Sequence, residues 1–205
     1  DHPSKRAYFD ARNSSLEAQV ANLADEIAYY SHDLDDGLEK HLLDESRLLR
    51  EVEIWSQSAE RVANQHQDLA EECRRYFTIR CIIDDQVKDV IAHSWEAIQA
   101  AKVNSADDVR LHLHKLIGYS DRRRLLNLEL RKYLYRNLYY HPEVHEPHKR
   151  AMRWLEGLFN HYLDHPDEMD ASFQRRVEQD GVRRAVCDFL ASMTDRFVMK
   201  RFEQL

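Results

Sequence analysis

The sequence predicts an all-α protein, and three observations carry that prediction. Glycine and proline number only four each in 205 residues, too few for the many tight turns of a sheet protein of this length. Charged residues make up 33% and hydrophobic residues 43%, the balance that helices with one wet and one dry face require. Apolar residues recur three and four positions apart through most of the chain, the period of a helix rather than a strand.

Residues 1–13 read as a polar lead-in. Ser14 followed three positions later by Glu17 has the form of a capping box, which satisfies orphan N–H groups at a helix start and places that start near Ser15. Leu16, Val20, Leu23, Ile27, Tyr30 and Leu34 then form one apolar stripe, and Gly37 suits a left-handed terminator. This first helix, within residues 14–38, carries the candidate site. Residues 39–205 read as scaffold.

A second helix is expected from about Glu45 to Trp55. A longer pattern runs from about Ala59 to Lys102 with one break near Gln65 to Leu69, its inner residues being Tyr76, Ile79, Ile82, Ile83, Val87, Val90, Ile91, Trp95 and Ile98. Ser105 with Asp108 gives a further cap before a short helix from Asp107 to Ile117, and Gly118-Tyr119-Ser120 reads as a turn. An amphipathic helix from Asp121 to about Tyr140 is expected to stop at Pro142, which has no N–H to extend the ladder. A helix from about His145 to Tyr162, a break at His165-Pro166-Asp167, a helix from Met169 to Glu178 and a closing helix from Val182 to Phe202 complete the pattern. No repeat, low-complexity tract or linker divides the chain, so the expectation is a single helical domain over residues 1–205.

Thirty basic against 37 acidic residues give a formal net charge of −7, which supplies no global attraction to nucleic acid or to a membrane surface. Separated basic groups such as Arg122 to Arg124, Lys149-Arg150, Arg183-Arg184 and Lys200-Arg201 leave local phosphate contacts open. Cys73, Cys81 and Cys187 are odd in number and widely spaced, which indicates neither a disulfide framework nor a zinc knuckle and fits a reducing, cytoplasmic setting. No apolar run reaches the roughly 18 residues of a membrane span, and no signal peptide opens the chain. Because the chain opens at Asp1 rather than Met, a fragment or processed product is expected.

Asp25, Tyr29, His32, Asp33 and Asp36 project within about a third of the first helix's circumference at ~100° per residue, opposite Leu23, Ile27 and Leu34. The same spacing suits a solvated helix face and a face that meets a ligand. Tyr29 among the acids, with the small Ala21 and Ala28 nearby, favours close approach by another group. The carboxylate of Asp25 suits a hard divalent cation, although one carboxylate does not make a metal site. His32-Asp33 has the letters of a histidine-aspartate metal pair, yet it follows Asp25 on the same helix and lacks a further ligand helix. His112 and His114 point to different sides of a helix, while His141, His145 and His148 lie around Pro142 and Pro147, so neither group reads as a metal centre. No Walker loop, nucleophile elbow or glycine-rich phosphate cradle is present.

The stretch Ser15 to Tyr29, SLEAQVANLADEIAY, continued by His32-Asp33-Leu34-Asp35-Asp36-Gly37-Leu38, resembles the central signature of the deoxyguanosine triphosphate triphosphohydrolase-like family within the HD superfamily. Leu134 to Val144, LYRNLYYHPEV, resembles that family's helix end, and Asp188 to Phe197, DFLASMTDRF, its C-terminal signature. The resemblance implies the C-terminal portion of a multi-helix HD-type fold. It implies an enzyme that cleaves a deoxynucleoside triphosphate to the deoxynucleoside and triphosphate with a divalent metal, Mg or Mn. It further implies that Asp25 is the final metal ligand, that Tyr29 packs on the deoxyribose, and that Asp33 hydrogen-bonds the sugar hydroxyl. Arg80 is a weaker candidate for a phosphate contact, and Arg196 suits structure or assembly. The family's first metal histidine, its histidine-aspartate pair and its catalytic residues lie upstream of the Asp25 motif, and residues 1–13 do not contain them in recognisable form. The expectation is therefore a C-terminal half with no catalytic residue of its own and no activity alone. Exposed stripes on the long helix and on the Asp121 to Tyr140 helix lead us to expect a homo-oligomer. The competing expectation is a noncatalytic helical interaction or regulatory module.

Overall fold

The computed structural model describes residues 12–66 and 68–205. Among them are ten α-helices and no strand: α1 (Leu16–Glu39), α2 (Glu45–Glu51), α3 (Glu53–Gln65), α4 (Glu71–Ala101), α5 (Ala106–Leu111), α6 (Asp121–Leu134), α7 (Pro142–Asp164), α8 (Ala171–Asp180), α9 (Val182–Ala191) and α10 (Asp195–Phe202). A π-helical turn, Tyr135–Tyr139, follows α6, and a 3-10 turn, Pro166–Glu168, follows α7. The all-α expectation holds. Contacts group the chain into two compact units that meet in sequence at Tyr140 and His141, at a place where composition signals no linker.

In the first unit α1 and α3 both lie against α4, and both also touch α6. Leu34, Leu48, Trp55, Ile82 and Leu134 are fully buried at its centre, each stabilising the fold by roughly 1.5–3 kcal/mol relative to exposure. The helix that bears the candidate site is thereby fixed along its inner side. At its N-terminal end Gln19 is buried, and its Oε1 accepts the N–H groups of Leu116 and Ile117 at 2.9 and 3.1 Å. The turn after Gly118 is held by Ser120, whose N–H and hydroxyl both donate to the Asp89 carboxylate at 2.9 and 2.6 Å.

Several boundaries differ from expectation for identifiable reasons. The N-cap of α1 is Ser15, not Ser14: its hydroxyl accepts the N–H of Ala18 at 3.3 Å, so the acid of a reciprocal box would have to stand at 18, where there is an alanine. Gly37 does not terminate α1. The left-handed residue is His41 (φ 56°), with Leu42 N–H bonded to Gly37 C=O and His41 N–H to Leu38 C=O, a Schellman ending. What requires glycine at 37 is proximity, since a Cβ there would lie 2.6 Å from Leu43 Cδ1 and 3.3 Å from Leu138 Cδ1.

The pattern from Glu45 to Trp55 is two helices, because Val52 is extended (φ −130°, ψ 101°) and buried. The first N–H of α3 is then satisfied from afar, by the Glu129 carboxylate at 2.7 Å, a tertiary cap that local sequence does not announce. On α4 only part of the expected inner stripe is buried. Ile79 and Ile82 face the core with Thr78, Gln86 and Ser94, whereas Tyr76, Val87, Ile91 and Trp95 are exposed. A helix of 31 residues has more than one apolar face, and the pattern alone does not say which one the fold covers.

The helix after Asp121 ends at Leu134 and passes into the π-turn. Pro142 does not merely stop it but opens α7 at its first turn, where a missing N–H costs nothing. In the second unit the expected closing helix is two helices, broken where the Ser192 hydroxyl donates to Phe189 C=O at 2.6 Å. The break turns α10 back onto α7, with the Phe202 ring 2.5 Å from where a Cβ on Gly157 would stand. The core of this unit is built from Leu158, Ala185, Val186 and Phe189, with Tyr162 edge-on to Phe189 at 5.0 Å.

Candidate functional site

Asp25, Tyr29 and Asp33 occupy successive turns of α1 at i, i+4 and i+8, which aligns them on one face. The face opposite is anchored by Ile27, Leu34 and Leu38. Asp25 is exposed and Tyr29 is 55% exposed, while Asp33 is half-buried. Among the described residues no hydrogen bond or ion pair holds Asp25.

Asp33 is held. The Tyr139 hydroxyl, carried by the π-turn, donates to Asp33 Oδ2. Burial above all, and then the hydrogen bond and negative charge of Asp33, push the Tyr139 phenol far above the ordinary tyrosine range, so it stays a protonated donor at neutral pH. The second carboxylate oxygen of Asp33 has no partner among the described residues and remains able to accept. Tyr139 also lies 6.3 Å from the Tyr29 ring and edge-on to Tyr135 at 4.9 Å, and Tyr29 is edge-on to Tyr30 at 5.6 Å. These spacings are those of favourable aromatic pairs. Tyr139 was not singled out from the sequence. Its one signal was its place in the LYRNLYYHPEV stretch.

The other flank of α1 borders a cavity of about 740 Å³, lined by His32 and Asp35 of α1, Tyr76, Arg80 and Asp84 of α4, and His66 after α3. Arg80 donates to the Tyr76 hydroxyl at 2.7 Å, with its guanidinium 5.4 Å from the Tyr76 ring centre. The structure therefore puts Asp33 and Arg80 on opposite flanks of the face that Asp25 and Tyr29 form. His32 belongs with the cavity and does not join Asp25 in a ligand set.

No group of three or more His, Cys, Asp or Glu among the described residues is arranged to hold a metal ion. A hard divalent cation takes six or more oxygen ligands, some of them water, so these residues do not by themselves fit such a centre. His112 and His114 have ring centres 6.5 Å apart, with His112 Nδ1 against the His114 C=O, and His141 caps α7 by accepting the Glu143 N–H. Cys73, Cys81 and Cys187 are free thiols. No helix is long and apolar enough to cross a membrane among the described residues.

A helical scaffold with an acid-and-tyrosine face defines the class only broadly, and residues 117–204 refine it by matching the phosphohydrolase-associated domain. The chain is 36% identical over 191 residues to a deoxyguanosinetriphosphate triphosphohydrolase-like protein of Geobacter metallireducens, covering 93% of this chain and 49% of that protein. Proteins of the same description from Nitrosomonas europaea and Bordetella pertussis are 34% and 37% identical over 198 residues, each covering 97% of this chain and 52% and 51% of theirs. Nearly the whole chain is thus similar to part of a deoxyguanosinetriphosphate triphosphohydrolase-like protein, and residues 117–204 carry the phosphohydrolase-associated domain. The chain spans about half the length of the curated relatives it matches.

Proposed function

We propose that this chain forms the sugar-facing side of a deoxynucleoside triphosphate triphosphohydrolase. The overall reaction consumes one water and releases the deoxynucleoside and triphosphate. The observation that carries the reading is the Asp33 carboxylate fixed by Tyr139 beside the exposed Tyr29 ring. A deoxyribose is an apolar disc with a hydroxyl at its edge. An aromatic ring matches the disc, and a carboxylate with one unused oxygen matches the hydroxyl through a charge-assisted hydrogen bond.

Asp25, one turn before Tyr29, is then an open carboxylate ligand for a Mg or Mn ion whose remaining donors come from outside the described residues. Bound there, with those further donors, such an ion would supply a nucleophilic water and stabilisation of phosphate charge. Alone, the chain holds one ligand and is inactive. A cytoplasmic setting agrees with its three free thiols, and a homo-oligomer agrees with the exposed Ile91 and Trp95 on α4. Those same residues favour the second reading, a noncatalytic helical module that binds a partner through α4.

Release of triphosphate from each deoxynucleoside triphosphate, assayed with Mg or Mn, tests the proposal in two forms of the protein. The expected result is no release by this chain alone, and release by a full-length family polypeptide carrying these residues that Asp33→Asn weakens mainly through KM. Release by this chain at a rate matching the full-length polypeptide would overturn the partial-site reading, and no effect of Asp33→Asn would favour the helical module.

A further inference from the structure

Helix α6 changes pitch after Leu134, and the Asp33 contact depends on that change. Residues Tyr135–Tyr139 wind as a π-turn, and the Tyr140 N–H reaches back five residues to Tyr135 C=O at 3.3 Å. A π-turn holds one residue more than an α-turn, so the side chains at its end are set back by about one residue, or ~100° around the axis. In an unbroken α register Tyr139 would point about that far from Asp33.

Two side chains of the turn meet α1. Tyr139 donates to Asp33 Oδ2, and Leu138 is buried with its Cδ1 3.3 Å from where a Cβ on Gly37 would stand. Asp33 and Gly37 are four positions apart on α1, so the turn is seated at two points along one side of that helix.

One polar contact sits at the seam where the ladder widens. Asn137 is half-buried, and its Nδ2 donates to Tyr133 C=O, four residues back, at 2.9 Å. A side chain that bonds this carbonyl competes with the backbone N–H that an α-helix would send to it. Such competition is one reason asparagine is a poor α-helix former. The contact therefore favours the wide turn over the α register. Tyr135, Arg136, Leu138 and Tyr139 have no short amide or hydroxyl that could do the same.

We propose that Asn137 is a positioning residue for the sugar-facing site: its bond to Tyr133 C=O sets the π register that carries Tyr139 onto Asp33. The inference rests on the reading of Asp33 as the sugar contact, and Asn137 itself touches no ligand. Its effect passes through Tyr139, whose hydroxyl fixes one oxygen of Asp33 and leaves the other directed. Single π-turns within helices recur at functional sites, and here the turn has a specific residue to hold it.

Carbon-13 NMR of the chain labelled at tyrosine Cζ, with the Tyr139 signal assigned through Tyr139→Phe, tests the inference without any ligand. In the wild-type chain burial and the Asp33 carboxylate, with Tyr29 nearby, hold the Tyr139 phenol far above the ordinary range. Its signal should therefore stay fixed through about pH 10, where ordinary tyrosines titrate. In Asn137→Leu, of similar size but without the donor, Tyr139 should titrate down toward the ordinary range while helical content stays the same. Asn137→Ser, whose hydroxyl can donate to the same carbonyl, should keep the wild-type signal. Titration with deoxyguanosine links the turn to the site: Asn137→Leu should weaken binding about tenfold, as Tyr139→Phe should, and the two changes together should weaken it no further.

A Tyr139 signal that stays fixed in Asn137→Leu, a serine that fails to keep it fixed, or additive losses of affinity would overturn the inference. Loss of the fold in both Asn137→Leu and Asn137→Ala would overturn it too, since Asn137 would then be general scaffold. Absence of deoxyguanosine binding to the wild-type chain would count against the sugar-facing reading, and the ligand-free signal would still decide whether Asn137 sets the turn.

Discussion

The Tyr139 hydroxyl donates to the Asp33 carboxylate across 106 positions of sequence, tying the π-turn after α6 to the middle of α1. One carboxylate oxygen is thereby fixed, and the other keeps a set direction. A hydrogen bond to a charged acceptor contributes about 1.5–3 kcal/mol. Tyr139→Phe should lower the stability of the folded chain by about that amount in urea denaturation, with the helical content of the native state unchanged. A variant as stable as the wild type would mean that the contact orders nothing.

Tyr29 should separate stability from binding. Its ring is 55% exposed, so Tyr29→Ala should change stability by no more than about 0.5–1 kcal/mol. Deoxynucleoside affinity should fall about tenfold, and Tyr29→Phe should restore it, because the ring rather than the hydroxyl makes the proposed contact. Isothermal titration of the three proteins distinguishes these outcomes.

Gly37 should resist substitution although it lies inside a helix. Gly→Ala in a helix interior ordinarily gains up to about 1 kcal/mol, but here the added methyl meets Leu43 at 2.6 and 2.8 Å. Crowding of a packed site costs about 1–3 kcal/mol. Gly37→Ala should therefore lower the thermal midpoint, and a raised midpoint would show that Leu43 moves aside freely.

Asp85 links acid stability to its ion pairs, a close one with Arg61 and a longer one with Arg123 at 3.9 Å. Arg61 donates to both its oxygens, at 2.8 and 2.9 Å. Above all this hydrogen bonding, against the opposing effect of burial, holds the Asp85 carboxyl below its ordinary range. With the folded value depressed, the stabilisation is present above the unfolded value, about pH 4, and is lost as pH falls through the folded one. Because Arg61 is 42% exposed, the effect is small, about 1 kcal/mol. Asp85→Asn should cost that much at pH 7, and the difference from wild type should shrink below pH 4 in chemical denaturation.

The helical class, the Ser105 and Asp108 capping box and the alignment of Asp25, Tyr29 and Asp33 were legible because each rests on spacing within a few residues. What was not legible depends on distant partners. Val52 breaks a helical pattern in the core, and Glu129 supplies the cap that α3 lacks. Tyr139 reaches Asp33 only through a π-turn, and no periodicity marks a turn of that kind. The exposure of Ile91 and Trp95 shows the same limit, since an apolar stripe states what can be buried and not what lies against it.

The most direct test of the sugar-facing site is a heteronuclear NMR titration of this chain with deoxyguanosine, which lacks phosphates and so probes the sugar and base contacts alone. The expected result is a set of shifts centred on Tyr29, Asp33 and Tyr139 that Asp33→Ala abolishes. Saturable binding with those three residues unmoved, or shifts that persist in Asp33→Ala, would contradict it.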